Sequence, residues 1–169
     1  MVDYFFRFSA VYLIFVLGAA AAAVCFYFWK KDKKLGSFIF LWVAGTTVFS
    51  YTVKILINWL MFRPRPFAAL GGVHQLVLKS PFDNSFPSGH ATAAFAIALP
   101  LLFFLLQQGK NGKIFGIIFL ISATLVAFSR IASGIHYPID ILGGVLVALL
   151  VSLSSARILK RLFIADKRG

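Results

Sequence analysis

The chain has 169 residues, of which 60% are hydrophobic, 17% aromatic and only 13% charged, with twenty Phe and a mean hydropathy of +0.90. Soluble domains carry roughly 25% charged residues, so the composition excludes a water-soluble globule and a disordered chain and points to lipid as the solvent. Seventeen Lys and Arg stand against five acids, all Asp, for a net charge of +12; without Glu, clustered-carboxylate metal sites have almost nothing to work with.

Five apolar runs follow in chain order, at about 8–29, 36–62, 88–107, 114–130 and 138–158, each near or above the ~20 residues that cross a bilayer. In the first, Ala19 to Ala23 has the small residues of a signal-peptide cleavage region, but the run continues to Trp29 and stops at Lys30-Lys31-Asp32-Lys33-Lys34. That pattern reads as a retained span with a positive stop. The single cysteine, Cys25, excludes an intramolecular disulfide. The second run carries Lys54 and Asn58, is long enough to tilt or project, and exits into Arg63-Pro64-Arg65-Pro66. Residues 63–87 mix Phe67, Leu70, Val73, Leu76, Leu78 and Phe82 with His74, Lys79 and Asp83. This stretch is too apolar to float in water and too broken to span, so it reads as an interfacial flap, with Lys79 available to an anionic headgroup.

The third run enters through Pro87-Ser88-Gly89-His90, the fourth exits at Ser129-Arg130, and the fifth enters after His136-Tyr137-Pro138-Ile139-Asp140. The expectation is one all-α membrane domain over 1–169, a bundle of five transmembrane helices. Antiparallel neighbours alternate direction, so these exits and entries all meet at one membrane surface. On the other surface fall Lys30, Lys31, Lys33, Lys34, Lys110, Lys113, Arg157, Lys160, Arg161, Lys167 and Arg168. The site side holds Arg7, Arg63, Arg65, Lys79 and Arg130, with Lys54 inside a span. The positive-inside rule then predicts a cytoplasmic C-terminus and an outer active face. Cations distributed this way orient a membrane protein; no nucleic-acid partner is expected.

The converging residues suit phosphoryl transfer. Arg63, Arg65 and Arg130 offer planar forks for phosphate oxygens. Pro87 preorganises a helix start whose Ser88 and Gly89 N–H groups lie at the positive end, an anion site. Asp140, four residues after His136, would hold one imidazole nitrogen and leave the other free to attack, while His90 would protonate a leaving oxygen. Singly, each has a plainer reading: Arg63 and Arg65 as interfacial anchors, Pro87-Ser88-Gly89 as a simple helix start, Asp140 as a dipole partner. Their co-location, and the cost of ionisable groups near lipid, favour a phosphate site.

At these residues the sequence resembles the type 2 phosphatidic acid phosphatase family, which also includes bacterial lipid phosphatases and the vanadium haloperoxidases. The family pattern is Lys, six residues, Arg-Pro; then Pro-Ser-Gly-His; then Ser-Arg, five residues, His, three residues, Asp. The second part stands complete at Pro87–His90 and the third at Ser129-Arg130, His136 and Asp140, and the resemblance covers about 50–158. It implies His136 as nucleophile through a phosphohistidine, Asp140 as its partner, His90 as leaving-group acid, and Arg65, Arg130, Ser88 and Gly89 as phosphate ligands, with no metal or other cofactor. The first part departs, because Asn58 occupies the lysine position and the nearby lysine is Lys54. Lys54, Asn58 and Arg65 share one helical face, so Lys54 lies one turn deeper, about 6 Å by the ~1.5 Å rise. It either snorkels back to the phosphate or pairs inside the bundle, and Asn58 can donate a hydrogen bond in its place. Family enzymes in membranes usually have six helices, so five implies a loss on the N-terminal side.

The resemblance implies a membrane lipid phosphatase at the outer face of a bacterial inner membrane. It would act on a phosphorylated lipid in the bilayer: lipid A 1-phosphate, undecaprenyl pyrophosphate or phosphatidylglycerol phosphate. Two alternatives are a lipid-to-lipid phosphotransferase using the same site and a non-catalytic transporter or scaffold that binds anionic lipid.

Overall fold

The computed structural model describes residues 2–166, with side chains described over 3–158. Among these the regular structure is all helical: α1 (Val2–Val11), α2 (Leu13–Lys31), α3 (Lys33–Leu60), the single turn α4 (Pro66–Ala69), α5 (Gly89–Leu105), α6 (Gly109–Ala132) and α7 (Pro138–Asp166). Four of them, α2, α3, α6 and the Pro138–Ile158 part of α7, are long and apolar enough to cross a membrane, and α5 is a shorter apolar helix. The chain is an all-α integral membrane protein. Lys160 and Arg161 lack described side chains, and Lys167 and Arg168 lie outside the described residues.

The bundle is inverted relative to a soluble one. Large apolar side chains face outward, among them Phe40, Phe49, Ile121 and Leu142, each more than half exposed. The helix contacts are made by small residues: Ala91, Ala94, Ala96, Ala98, Ala123 and Ala148 are fully buried. With no hydrophobic drive between helices in lipid, close backbone approach is what packs them. α5 stands at the centre against α2, α3, α6 and α7. Its 17 residues reach only about 26 Å at 1.5 Å each, short of the ~30 Å hydrocarbon, which a helix shielded by its neighbours tolerates. α3, with 28 residues, reaches about 42 Å, longer than the ~30 Å hydrocarbon, and leads into Arg63 and Arg65. Trp42 Nε1 donates to Ser155 Oγ at 2.9 Å, a polar tie between α3 and α7.

Two boundaries differ from expectation in ways that bear on function. The apolar run at 8–29 is cut at Tyr12 into α1 and α2. Backbone bonds from Tyr12 N to Phe8 O and Val16 N to Tyr12 O run across the break; beside it Arg130 Nη1 donates to Ala10 O at 2.5 Å, and Arg7 Nε of α1 donates to Leu76 O at 2.7 Å. Helix α6 starts at Gly109, before the expected 114, because Lys110, Asn111 and Lys113 lie outside the apolar run yet continue its helix.

Candidate active site

The α6–α7 corner builds the centre of the site. After Ala132 the chain turns through Ser133 and Gly134, whose φ of +69° is one that side chains avoid. Pro138 then opens α7, and Asp140 in its first turn accepts from the Tyr137 N–H at 2.8 Å. This is a capping contact, and it fixes the carboxylate against His136. His136 Nδ1 lies 3.4 Å from Asp140 Oδ2. Ser85 Oγ donates to the same oxygen at 2.5 Å and sits 3.4 Å from His136 Nδ1. The other ring atom, Nε2, faces Arg65 Nη1 at 3.5 Å. One nitrogen therefore meets a carboxylate and a hydroxyl while the other faces the Arg65 guanidinium. Burial lowers the His136 pKa below the usual imidazole value, against the opposing pull of Asp140. The ring is neutral at neutral pH, as a nitrogen nucleophile requires.

Two guanidinium groups flank it. Arg65 is 7% exposed and Arg130 2%. Arg65 Nη1 donates to Ile135 O at 2.9 Å and Nη2 to Asn84 O at 3.3 Å; Arg130 is held by Ala10 O. The Nε donors of both are buried without a partner. An unsatisfied buried donor on a cation is costly, and an oxyanion is a partner that would satisfy such a donor. The charges of Arg130, Lys79, His136 and Arg65 all bear on His90 in the first turn of α5, so the two motif histidines and two motif arginines converge.

Close packing of α7 on α5 brings the second motif to the same place. A Cβ at Gly144 would meet Thr92 Oγ1 at 2.8 Å and Ser88 O at 2.9 Å, and one at Gly143 would meet Phe86 Cε2 at 2.6 Å. Only glycine lets the helix come this near. Ser88 itself is occupied: its N–H donates to Asp140 O at 3.0 Å and its Oγ accepts from Ala91 N at 3.5 Å. The expectation of a free Ser88 N–H is corrected accordingly; Ser88 caps α5 and locks it to α7, and Gly89, half-buried, is the next residue of the turn.

The remaining expected residues separate. Arg63 is drawn away from the pair: its Nη1 lies 3.3 Å from Asp140 Oδ1 and its guanidinium stacks 4.2 Å from the Tyr137 ring centre. Asn58 Nδ2 donates to Phe86 O at 2.9 Å, holding the turn before Pro87. Lys54 does reach the site loop, since a Cβ on Gly89 would come 3.6 Å from Lys54 Cε. Sequence reasoning missed Ser85 and Asn84. Asn84 accepts from Arg63 N and Phe86 N, each at 3.0 Å, and its Nδ2 donates to Met61 O and Asn58 O. Nothing in a loop sequence without periodicity marks either residue.

Comparison with known proteins places the chain in a family. The chain is 40% identical over 111 residues to the undecaprenyl-diphosphatase BcrC of Bacillus subtilis, covering 66% of this chain and 53% of that protein. It is 33% identical over 133 residues to an undecaprenyl-diphosphatase of Sulfolobus acidocaldarius, covering 76% of this chain and 57% of the relative. The chain thus spans about half the length of the curated relatives it matches. Its fold superposes on the crystal structure of Aquifex aeolicus LpxE with a TM-score of 0.67 at 22% identity, over 92% of this chain and 86% of that one. Residues 38–164, three quarters of the chain, match the family model of the PAP2 superfamily, and the chain belongs to that superfamily.

Proposed function

We propose that the protein is a metal-independent membrane lipid phosphatase that removes a terminal phosphate from a lipid whose tail stays in the bilayer. The observation that carries this reading is the His136 ring, with Nδ1 against Asp140 and Ser85 and Nε2 against Arg65. Arg65 and Arg130 each keep a buried guanidinium Nε donor with no partner. Nε2 attacks phosphorus, the P–O bond to the lipid breaks with its electron pair left on oxygen, and His90 delivers a proton to that oxygen where the leaving group needs one. Water then cleaves the P–N bond, releasing phosphate. Arg65, Arg130, Lys54 and the Gly89 N–H hold the transferring group, while Asn58 and Ser88 hold the loop. The similarity to undecaprenyl-diphosphatases favours a lipid diphosphate over the other two candidate substrates.

Purified protein in detergent is expected to release inorganic phosphate from a lipid diphosphate and to keep its rate in EDTA. The site offers a single buried carboxylate, already engaged by Arg63 and Ser85. Loss of activity on chelation, restored by magnesium or zinc, would overturn the mechanism; phosphate appearing on an added acceptor lipid instead of in solution would make it a phosphotransferase.

The active face is assigned to the outer surface of a bacterial inner membrane. Lys30 to Lys34 and the start of α6 with Lys110 and Lys113 lie at the opposite end of the bundle, where Lys31, Gln108 and Asn111 line one cavity. A reporter fused after Gly169 is expected to behave as cytoplasmic and one inserted at 71–72 as external; the reverse pattern in both refutes the orientation.

A further inference from the structure

At the end of the bundle away from His136, α2 closes on Lys30 and Lys31 while α6 begins after a tight turn. Gly109, at φ +76°, turns the chain. Gly112 then lies so close to the end of α5 that a Cβ there would sit 2.4 Å from Leu105 O. Beside this turn a cavity of about 550 Å³ opens between α2 and the start of α6. On α2 its wall is Ala23, Val24, Tyr27, Phe28 and Lys31, a set whose steps of three and four share one helical face. From Lys31 back to Ala23 the wall runs about 12 Å at ~1.5 Å per residue. The Phe28 ring meets Phe104 edge-on at 4.9 Å and ties this wall to α5. On the far side stand Gln108, Asn111 and, about 6 Å deeper by the same rise, Phe115. The cavity is polar at its mouth and apolar in its throat.

The mouth is also cationic. Lys31 Nζ lies 4.5 Å from the centre of the Tyr27 ring, which places its ammonium on the cavity wall. Lys110 and Lys113 stand near the start of α6, whose N-terminus has neither a side-chain cap nor an acid in its first turn, so the positive end of that helix adds to them. Asp32, the acid beside Lys31, is used to cap α3 and accepts from Lys34 N and Leu35 N. Among the described residues no ion pair joins a carboxylate to Lys31, Lys110 or Lys113. A soluble anion would meet this mouth and leave the throat empty, while a bare hydrocarbon chain would fill the throat and leave the cations without a counter-charge. A lipid with an anionic headgroup satisfies both.

We propose that this cavity binds one anionic phospholipid of the leaflet that faces Lys30 to Lys34. Its headgroup phosphate lies against Lys31, Gln108 and Asn111, and one acyl chain follows the α2 wall from Tyr27 to Ala23. Basic pockets between membrane helices recognise anionic headgroups in this way. The site is at the opposite end of the bundle from His136 and does not depend on the phosphatase reading.

The test is native mass spectrometry of the full chain in detergent micelles that hold equal amounts of phosphatidylglycerol and phosphatidylcholine with the same acyl chains. The quantity read is the ratio of the two lipids retained on the folded protein. Wild type is expected to retain one phosphatidylglycerol in clear preference. Lys31→Gln should lower the ratio about fivefold, the share of one lysine facing anionic lipid. Lys30→Gln removes the same charge one residue away, from an ammonium that lies 5.4 Å over the Phe26 ring, on the side of α2 that faces a different groove toward α3; it should leave the ratio near the wild-type value. Ala23→Phe, at an exposed position, puts a ring in the throat and should lower the ratio without touching any charge. Equal retention of the two lipids by wild type overturns the proposal. So does a Lys30→Gln loss as large as that of Lys31→Gln, which would mean a diffuse surface charge, or an unchanged ratio in Ala23→Phe, which would mean a headgroup held without its chain.

Discussion

His136→Ala is expected to reduce phosphate release to background, a loss on the order of 10⁴–10⁶-fold as for removal of other attacking nucleophiles, while the protein still binds a non-hydrolysable phosphonate analogue of its lipid. Chemistry and binding separate because different atoms serve them. The proposed phosphate ligands Arg65 and Arg130 are anchored on backbone carbonyls of Ile135, Asn84 and Ala10, with only a 3.5 Å contact from Arg65 Nη1 to the imidazole, so truncating the ring is expected to leave the clamp in place. The pH dependence of the wild type carries the same assignment. Burial lowers the His136 pKa below the ordinary 6.5, so the neutral, nucleophilic ring persists as pH falls through 6.5 and is lost only further into acid. The acid limb of kcat/KM is expected below pH 6.5. A limb centred above that value, or an active His136→Ala enzyme, would remove His136 from the chemistry.

The parts of this site that were legible in the sequence are those fixed by helix ends. Span parity alone brings Arg65, His90, Arg130 and His136 to one surface, because each stands within a few residues of an apolar run's end and the helices have no alternative direction. The four-residue spacing of His136 and Asp140 likewise predicts their contact, since a first helical turn puts such positions together. Roles that depend on rivals for a hydrogen bond were not legible. Arg63 and Arg65 are two residues apart and equal on paper. The buried Asp140 takes Arg63, and Asn84 O and Ile135 O hold Arg65 beside the imidazole. Lys54 looked one turn too deep, but its four-carbon stem spans that distance and brings Cε beside Gly89. Arg130 and Arg7 reach the carbonyls of Ala10 and Leu76, 120 and 69 residues away in sequence, contacts that no local pattern encodes.

Asp140→Asn should lower kcat by about 10³–10⁴-fold, comparable with the loss seen when the carboxylate that orients a catalytic imidazole becomes an amide in other enzymes. The carboxylate is fully buried and each oxygen is in use. Oδ2 accepts from Ser85 Oγ at 2.5 Å and Tyr137 N at 2.8 Å and faces His136 Nδ1 at 3.4 Å, while Oδ1 lies 3.3 Å from Arg63 Nη1. An amide can serve only one side. With its oxygen kept toward Tyr137, its NH₂ meets the Arg63 guanidinium, donor against donor, and the counter-charge for a developing phosphohistidine is gone. Flipped, it presents NH₂ to His136 Nδ1, which forces the ring proton onto Nε2 and occupies the lone pair that must attack. Either arrangement stops the step without removing an atom from the packing. Ser85→Ala deletes only one donor to the carboxylate and should cost about 10–100-fold, the usual range for a group that orients a functional ligand from behind. A second readout separates positioning from folding. Asp140 raises the His136 pKa against burial, so in Asp140→Asn the residual activity should show an acid limb displaced to lower pH, whereas a variant that was merely misfolded would lose amplitude at an unchanged limb. An Asp140→Asn enzyme within tenfold of wild-type kcat would mean that His136 is oriented by Ser85 and the surrounding backbone alone.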